Sequence, residues 1–192
     1  MNSLFVFLSV ALVLVAVPPY ILDTIRGKTK PERMTWFLLT TLGAIAFYGQ
    51  VKVGATWSLF FSGLDLLGSM TVLALSLRYG VGGTERRDIL ALIIAVVGLI
   101  ISLTVHEPII AIIGVIVADL AAISVTLLKV WRDPSSETTI SWLLFGTAGV
   151  FGLLTIRPWS FVIALYPLYL VLANYAVPFV QLLRAGRKST LD

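Results

Sequence analysis

The sequence predicts an all-α polytopic membrane protein: seven transmembrane helices in a 3+1+3 parallel repeat, with the N-terminus outside and the C-terminus inside. Three observations predict it. The first is composition. Of 192 residues, 58% are hydrophobic and 12% charged, with a mean hydropathy of +0.99. A soluble domain carries roughly 25% charged residues, so this chain cannot cover a water-facing surface. The second is the count of apolar runs of about 17–25 residues, the length a bilayer requires. The third is an internal echo. Arg26, Trp36, Leu38, Thr41 and Gly43 fall on Arg132, Trp142, Leu144, Thr147 and Gly149 at one constant offset. Leu77-Arg78 with Gly80 falls on Leu183-Arg184 with Gly186 at the same offset, so one unit is used twice.

The apolar runs follow in order. Span 1 is Leu4–Leu22; it lacks a basic leader and a small-residue cleavage site, so it reads as an uncleaved span. Span 2 is Thr35–Val51 and span 3 is Ala55–Leu77. Span 4, Ile89–Val105, links the units. Spans 5, 6 and 7 are Pro108–Val130, Ile140–Ile156 and Trp159–Leu183. Pro108 and Pro158 open or immediately precede spans, where a missing N–H costs nothing. Spans 4 and 6 are the shortest, which makes six spans the competing count. The units are then residues 1–80, the linker 81–107, and residues 108–192.

Charge sets the orientation. With the N-terminus outside, the inner loops and tail collect twelve of the fourteen Lys and Arg, leaving Lys52 and Arg157 outside. That asymmetry is the positive-inside pattern, and merging two spans would invert every later loop. Trp36, Trp131 and Trp142 fall at inner span ends, Trp57 and Trp159 at outer ends, where indole anchors to the interface. Asp23, Glu32, Asp133 and Glu137 read as solvated inner-loop partners of local Arg and Lys, each pair contributing little. Gly43, Ala46 and Gly49 on span 2, with Gly146, Gly149 and Gly152 on span 6, read as close-approach positions.

Polar groups at depth nominate a site. Asp65 lies near the middle of span 3 and Asp119 at the middle of span 5. An aspartate at the centre of a span costs about 2.5–3.5 kcal/mol on the insertion scale. Asn174 in span 7 both donates and accepts, which suits a polar solute. Interhelical polar glue is the plain alternative for all three. Tyr48, Gln50 and Ser62 are candidates for an outer vestibule. Pro18 and Pro19, followed by Tyr20, mark span 1 as a helix able to bend near its inner end, a gate or hinge. With no cysteine and a single histidine, His106, no metal site is expected. No cofactor motif and no catalytic constellation is present, so no enzyme is expected. The net charge of +4 and pI near 9.6 reflect loop topology rather than nucleic-acid binding.

Two three-helix units in parallel, with proline near the inner end of the first helix and a basic loop after it, resemble the PQ-loop superfamily. Its SWEET and SemiSWEET members are sugar transporters. Pro19-Tyr20 stands where Pro-Gln would be, Arg26, Lys28 and Lys30 occupy the basic segment, and Thr35 opens span 2. Tyr20 replaces the glutamine, and the second copy has Thr126 near that place without a proline. Asn174 matches the family asparagine of the third helix, whereas Gly68 stands at that register in span 3. The resemblance implies a transporter for a small polar solute of the sugar or amino-acid class. If either aspartate changes protonation in the cycle, transport is proton-linked. A non-transporting receptor or a regulatory partner subunit is the alternative. The expected partners are the lipid bilayer and the solute, with a homo-oligomer compatible; the expected location is a bacterial inner membrane.

Overall fold

Helices form where apolar runs are long enough to hide a polar backbone from lipid. The computed structural model describes residues 2–52, 57–156 and 159–188. Arg157, Pro158 and the side chains of Gln50, Trp57 and Ser62 lie outside the described residues. The described chain is all-helical. Its α-helices are α1 (Asn2–Ile25), α2 (Arg33–Lys52), α3 (Trp57–Tyr79), α4 (Arg86–Thr104), α5 (Pro108–Arg132), α6 (Thr139–Leu154) and α7 (Phe161–Lys188). A single 3-10 turn, Pro134–Ser136, precedes α6. Four described stretches are long and apolar enough to cross a membrane: Ser3–Ile25, Arg86–Thr104, Ile109–Arg132 and Phe161–Ala185. Helix α6 is equally apolar but, at 16 residues, about 24 Å long.

Exposed side chains on the outside of the bundle are apolar. On α4, Ile89, Ile93, Val96 and Ile100 all face outward, and Ala91, Ala95 and Gly98 face in. That distribution fits a membrane-embedded protein, in which lipid is the solvent.

The packing forms a ring. Helix α1 touches α3 and α6, α3 touches α2, α2 touches α5, α5 touches α7, and α7 touches α6. Helix α4 sits outside the ring on α5 and brushes α2. The closest approach is between α4 and α5. A Cβ at Gly98 would meet the Gly114 carbonyl oxygen at 2.5 Å, and a Cβ at Gly114 would meet the Gly98 carbonyl at 2.5 Å. The glycines on α6 pack instead against α7: Gly146 abuts the Tyr175 ring and Gly149 the Val171 side chain. Gly43 of α2 faces Leu66 of α3.

Three connections meet at one end of the ring. Lys30 N–H donates to the Ser136 carbonyl (2.9 Å), and Val81 N–H to the Pro31 carbonyl (2.9 Å). The loops after α1, α3 and α5 are therefore tied together, and this end carries Arg26, Lys28, Lys30, Arg33, Arg86, Arg87 and Arg132. Trp36 and Trp142 correct the expectation of interface anchors. They are 7% and 5% exposed and lie inside the ring with Tyr20, Val72, Ile123, Val130 and Val177. Trp131 and Trp159 remain exposed. Inside the ring each indole N–H finds a partner, Trp36 on the Tyr20 oxygen and Trp142 on Glu137.

Candidate functional site

One stripe of α3 leads to the site. Residues 65, 69, 72 and 76 recur at helical spacing, and Val72 and Ser76 are fully buried. The opposite stripe faces away from the ring, with Leu67 and Leu77 exposed. Leu64 and Gly68 turn toward α1, while Leu66, Met70 and Leu73 turn toward α2. Asp65 thus points into the ring. It is nevertheless exposed.

Helix α5 brings the second aspartate to the same space. Asp119 is 5% exposed and shares its stripe with Ile123, Thr126 and Val130. Helix α7 supplies two phenols. Tyr166 lies within electrostatic reach of both Asp119 and Asp65. Tyr169 stacks on Tyr166, with centroids 6.1 Å apart and planes at 26°. The Tyr169 hydroxyl lies beside Asp119 yet is buried without a hydrogen bond of ordinary geometry. Asp65, Asp119, Tyr166 and Tyr169 therefore meet in one polar region of the ring, between α3, α5 and α7, here termed the chamber. Asn174 is half-buried on α7, and its amide donates to the Leu170 carbonyl one turn back (2.8 Å). Tyr48 is exposed at the outer part of α2.

Below the chamber the ring fills with apolar and aromatic side chains. Val72 is two turns along α3 from Asp65, Ile123 one turn along α5 from Asp119, and Val177 three turns along α7 from Tyr166. Tyr20, Trp36 and Trp142 complete this plug. Tyr20 and Trp36 are 5.1 Å apart at the ring centroids, and Trp142 meets Tyr20 edge-on at 6.4 Å. Pro18 and Pro19 sit within α1, which runs unbroken through both; Tyr20 is the residue that carries α1 into the plug.

At the loop end the plug is fastened by a buried carboxylate. Glu137 accepts from the Tyr20 hydroxyl (3.1 Å), the Trp142 indole N–H (2.9 Å) and the Lys129 ammonium. Trp36 donates its indole N–H to the Tyr20 oxygen (3.1 Å). Lys129 donates also to the Lys30 carbonyl (2.6 Å). Gln181 of α7 donates to the Glu137 and Pro134 carbonyls and accepts from Thr139. Thr126 donates to Thr35, which donates to the Ala122 carbonyl. Helices α1, α2, α5, α6 and α7 are all joined at this latch.

The latch corrects the expectation of solvated loop carboxylates. Glu32 and Glu137 are buried, and Lys129 is buried with Glu137. Each acid immediately precedes a helix that enters the bundle, so the chain carries its carboxylate inward. Glu32 accepts the Thr35 N–H through one oxygen (2.8 Å); the other has no hydrogen-bond partner and lies against Gly82, whose φ of +73° lets the loop pass so closely. Burial pushes the Glu32 carboxyl above its ordinary range, against the pull of the Thr35 N–H and with Asp88 adding to the rise. Asp88 accepts N–H bonds from Gly83 (2.6 Å) and Glu85 (2.9 Å) and lies 3.6 Å from the Arg87 guanidinium. Asp133 behaves as a loop residue: the Ser135 hydroxyl holds its carboxyl below the usual range.

One trace of the latch is present in the sequence itself. Trp36 and Trp142 share a register, which places both indoles at one depth on the two helices that bracket Tyr20. Among the described residues no group of three metal-ligating side chains occurs. Compared with protein-family models, with curated proteins and with solved structures, the chain matches none.

Proposed function

We propose that the protein is a multi-pass membrane transporter of a small polar solute, working by alternating access between two three-helix units. The observation that carries this reading is the pair of mid-helix carboxyls, Asp65 on α3 and Asp119 on α5, one from each unit, both near Tyr166 and above a plug closed at the loop end. Polar groups shared by two units above a closed plug are what one half of an alternating cycle requires. All seven helices cross the bilayer in this reading, with α4 as the linker. Exchanging α1, α2 and α3 for α5, α6 and α7 leaves the ring contacts unchanged, which supports a parallel repeat about an axis along the membrane normal. The basic residues on the latched end support a cytoplasmic placement of that end, in a membrane such as a bacterial inner membrane.

Purified protein in proteoliposomes tests the proposal. Saturable uptake of at least one solute from a panel of sugars, amino acids and amines is expected, with uptake lost in Asp119→Asn. A folded protein that binds a solute without moving it would contradict transport and favour a receptor.

A further inference from the structure

The geometry points to an organic cation, an ammonium-bearing solute, as the species the chamber takes; this inference rests on the transporter reading and narrows its solute class. The first observation is a contrast among the buried acids. Glu137 is paired with Lys129 and with two aromatic donors. Asp88 is held by two backbone N–H groups beside Arg87. The chain thus neutralises a buried carboxylate where a base can reach it. Among the described residues neither Asp65 nor Asp119 forms an ion pair. Residues 57–77 of α3, 108–128 of α5 and 161–183 of α7 contain no Lys, Arg or His. The same holds for residues 2–22, 34–51 and 139–154, so above the latch these stretches carry two carboxyls and no base.

The second observation concerns the unfinished bonding inside the chamber. Asp119 is 5% exposed, and the buried Tyr169 hydroxyl is the donor beside it, which leaves lone pairs on both the carboxyl and the phenol oxygen. Both groups accept from an N–H donor, and an ammonium has several to give. The third observation is the stacked Tyr166–Tyr169 pair next to the acids. Phenol faces attract organic cations through the ring quadrupole, most strongly where water is sparse. A neutral sugar would need a dense set of donors as well as acceptors. The chamber offers two carboxyls and two phenols.

The test is thermal unfolding of the detergent-purified full-length protein, at fixed ionic strength, with four probes: L-arginine or 1,4-diaminobutane as organic cations, glucose as a neutral solute, succinate as an anion without an ammonium group, and Na⁺ exchanged for K⁺. Binding to the folded state raises its apparent stability by mass action. The expected result is a concentration-dependent rise with the amines alone. Asp65→Asn and Asp119→Asn should each weaken the amine about tenfold or more, the usual scale for losing one charged hydrogen-bond partner. Asp65 is solvent-exposed, so its variant keeps the test valid if Asp119→Asn fails to fold. A rise with glucose or succinate instead would overturn the cation inference and leave the transporter standing. A rise with Na⁺ alone would overturn it in favour of an inorganic ion site. No rise with any probe, in a sample that unfolds cooperatively, would overturn the transporter reading and this inference with it.

Discussion

Glu137 and Lys129 illustrate how burial changes the value of a charge. An exposed pair contributes little, because water screens both ions and the side chains lose freedom. Here the carboxylate has three donors and the ammonium has a carbonyl besides, so breaking the pair strands a charge. Lys129→Met should therefore destabilise the fold by about 3–5 kcal/mol, read by thermal or chemical unfolding in detergent. Adding Glu137→Gln should recover most of that loss, since the orphaned charge is then gone. An unchanged single variant would mean that the pair is solvated. None of this was legible locally. Glu137 stands in a run of Ser, Pro, Asp and Thr that reads as a wet loop, and Tyr20 is 117 positions away. Asp65 and Asp119 were legible, because a carboxylate in an apolar run is conspicuous; the Tyr166–Tyr169 pair was not, because tyrosine is common at helix ends.

At the scale of elements, apolar run length was enough to locate every helix, since the bilayer leaves the backbone few alternatives. Ends were less legible. Helix α1 runs on to Ile25 through Pro18 and Pro19, and α7 runs on to Lys188 through Pro167 and Pro178. Neighbouring helices pack against these segments and hold them straight enough to continue. Which glycines matter depended on contacts that spacing does not give. Gly98 and Gly114 bring the α4 and α5 backbones together, whereas Gly43 has only the Leu66 Cδ1 nearby, 3.7 Å from an added Cβ. Gly98→Ala pushes a methyl into backbone atoms that cannot rotate away. It should cost about 1–3 kcal/mol, while Gly43→Ala should be close to neutral; equal stability of the two variants in thermal unfolding would contradict the close α4–α5 approach.

For the whole molecule, the relevant object is the column inside the ring: chamber, plug, latch. Its order follows from register. The residues that line the chamber recur one to three turns above those that form the plug, and the latch closes where the loops meet. Opening toward the latched end would have to separate Tyr20 from Glu137 and Trp36, so the same bonds that stabilise the fold oppose that movement. This coupling was invisible before the helices were placed, because it depends on which face of each helix meets the axis. The chain contains no cysteine, so single cysteines report cleanly. The most direct measurement is labelling of Asp65→Cys, Val72→Cys and Leu67→Cys in sealed vesicles with a membrane-impermeant thiol reagent, applied from each side in turn. The account predicts that Asp65→Cys reacts from the side opposite the latch, and that Val72→Cys in the plug and Leu67→Cys in lipid do not. Protection of Asp65→Cys from both sides, or reaction of Val72→Cys from the latched side, would contradict an interior chamber sealed at that end.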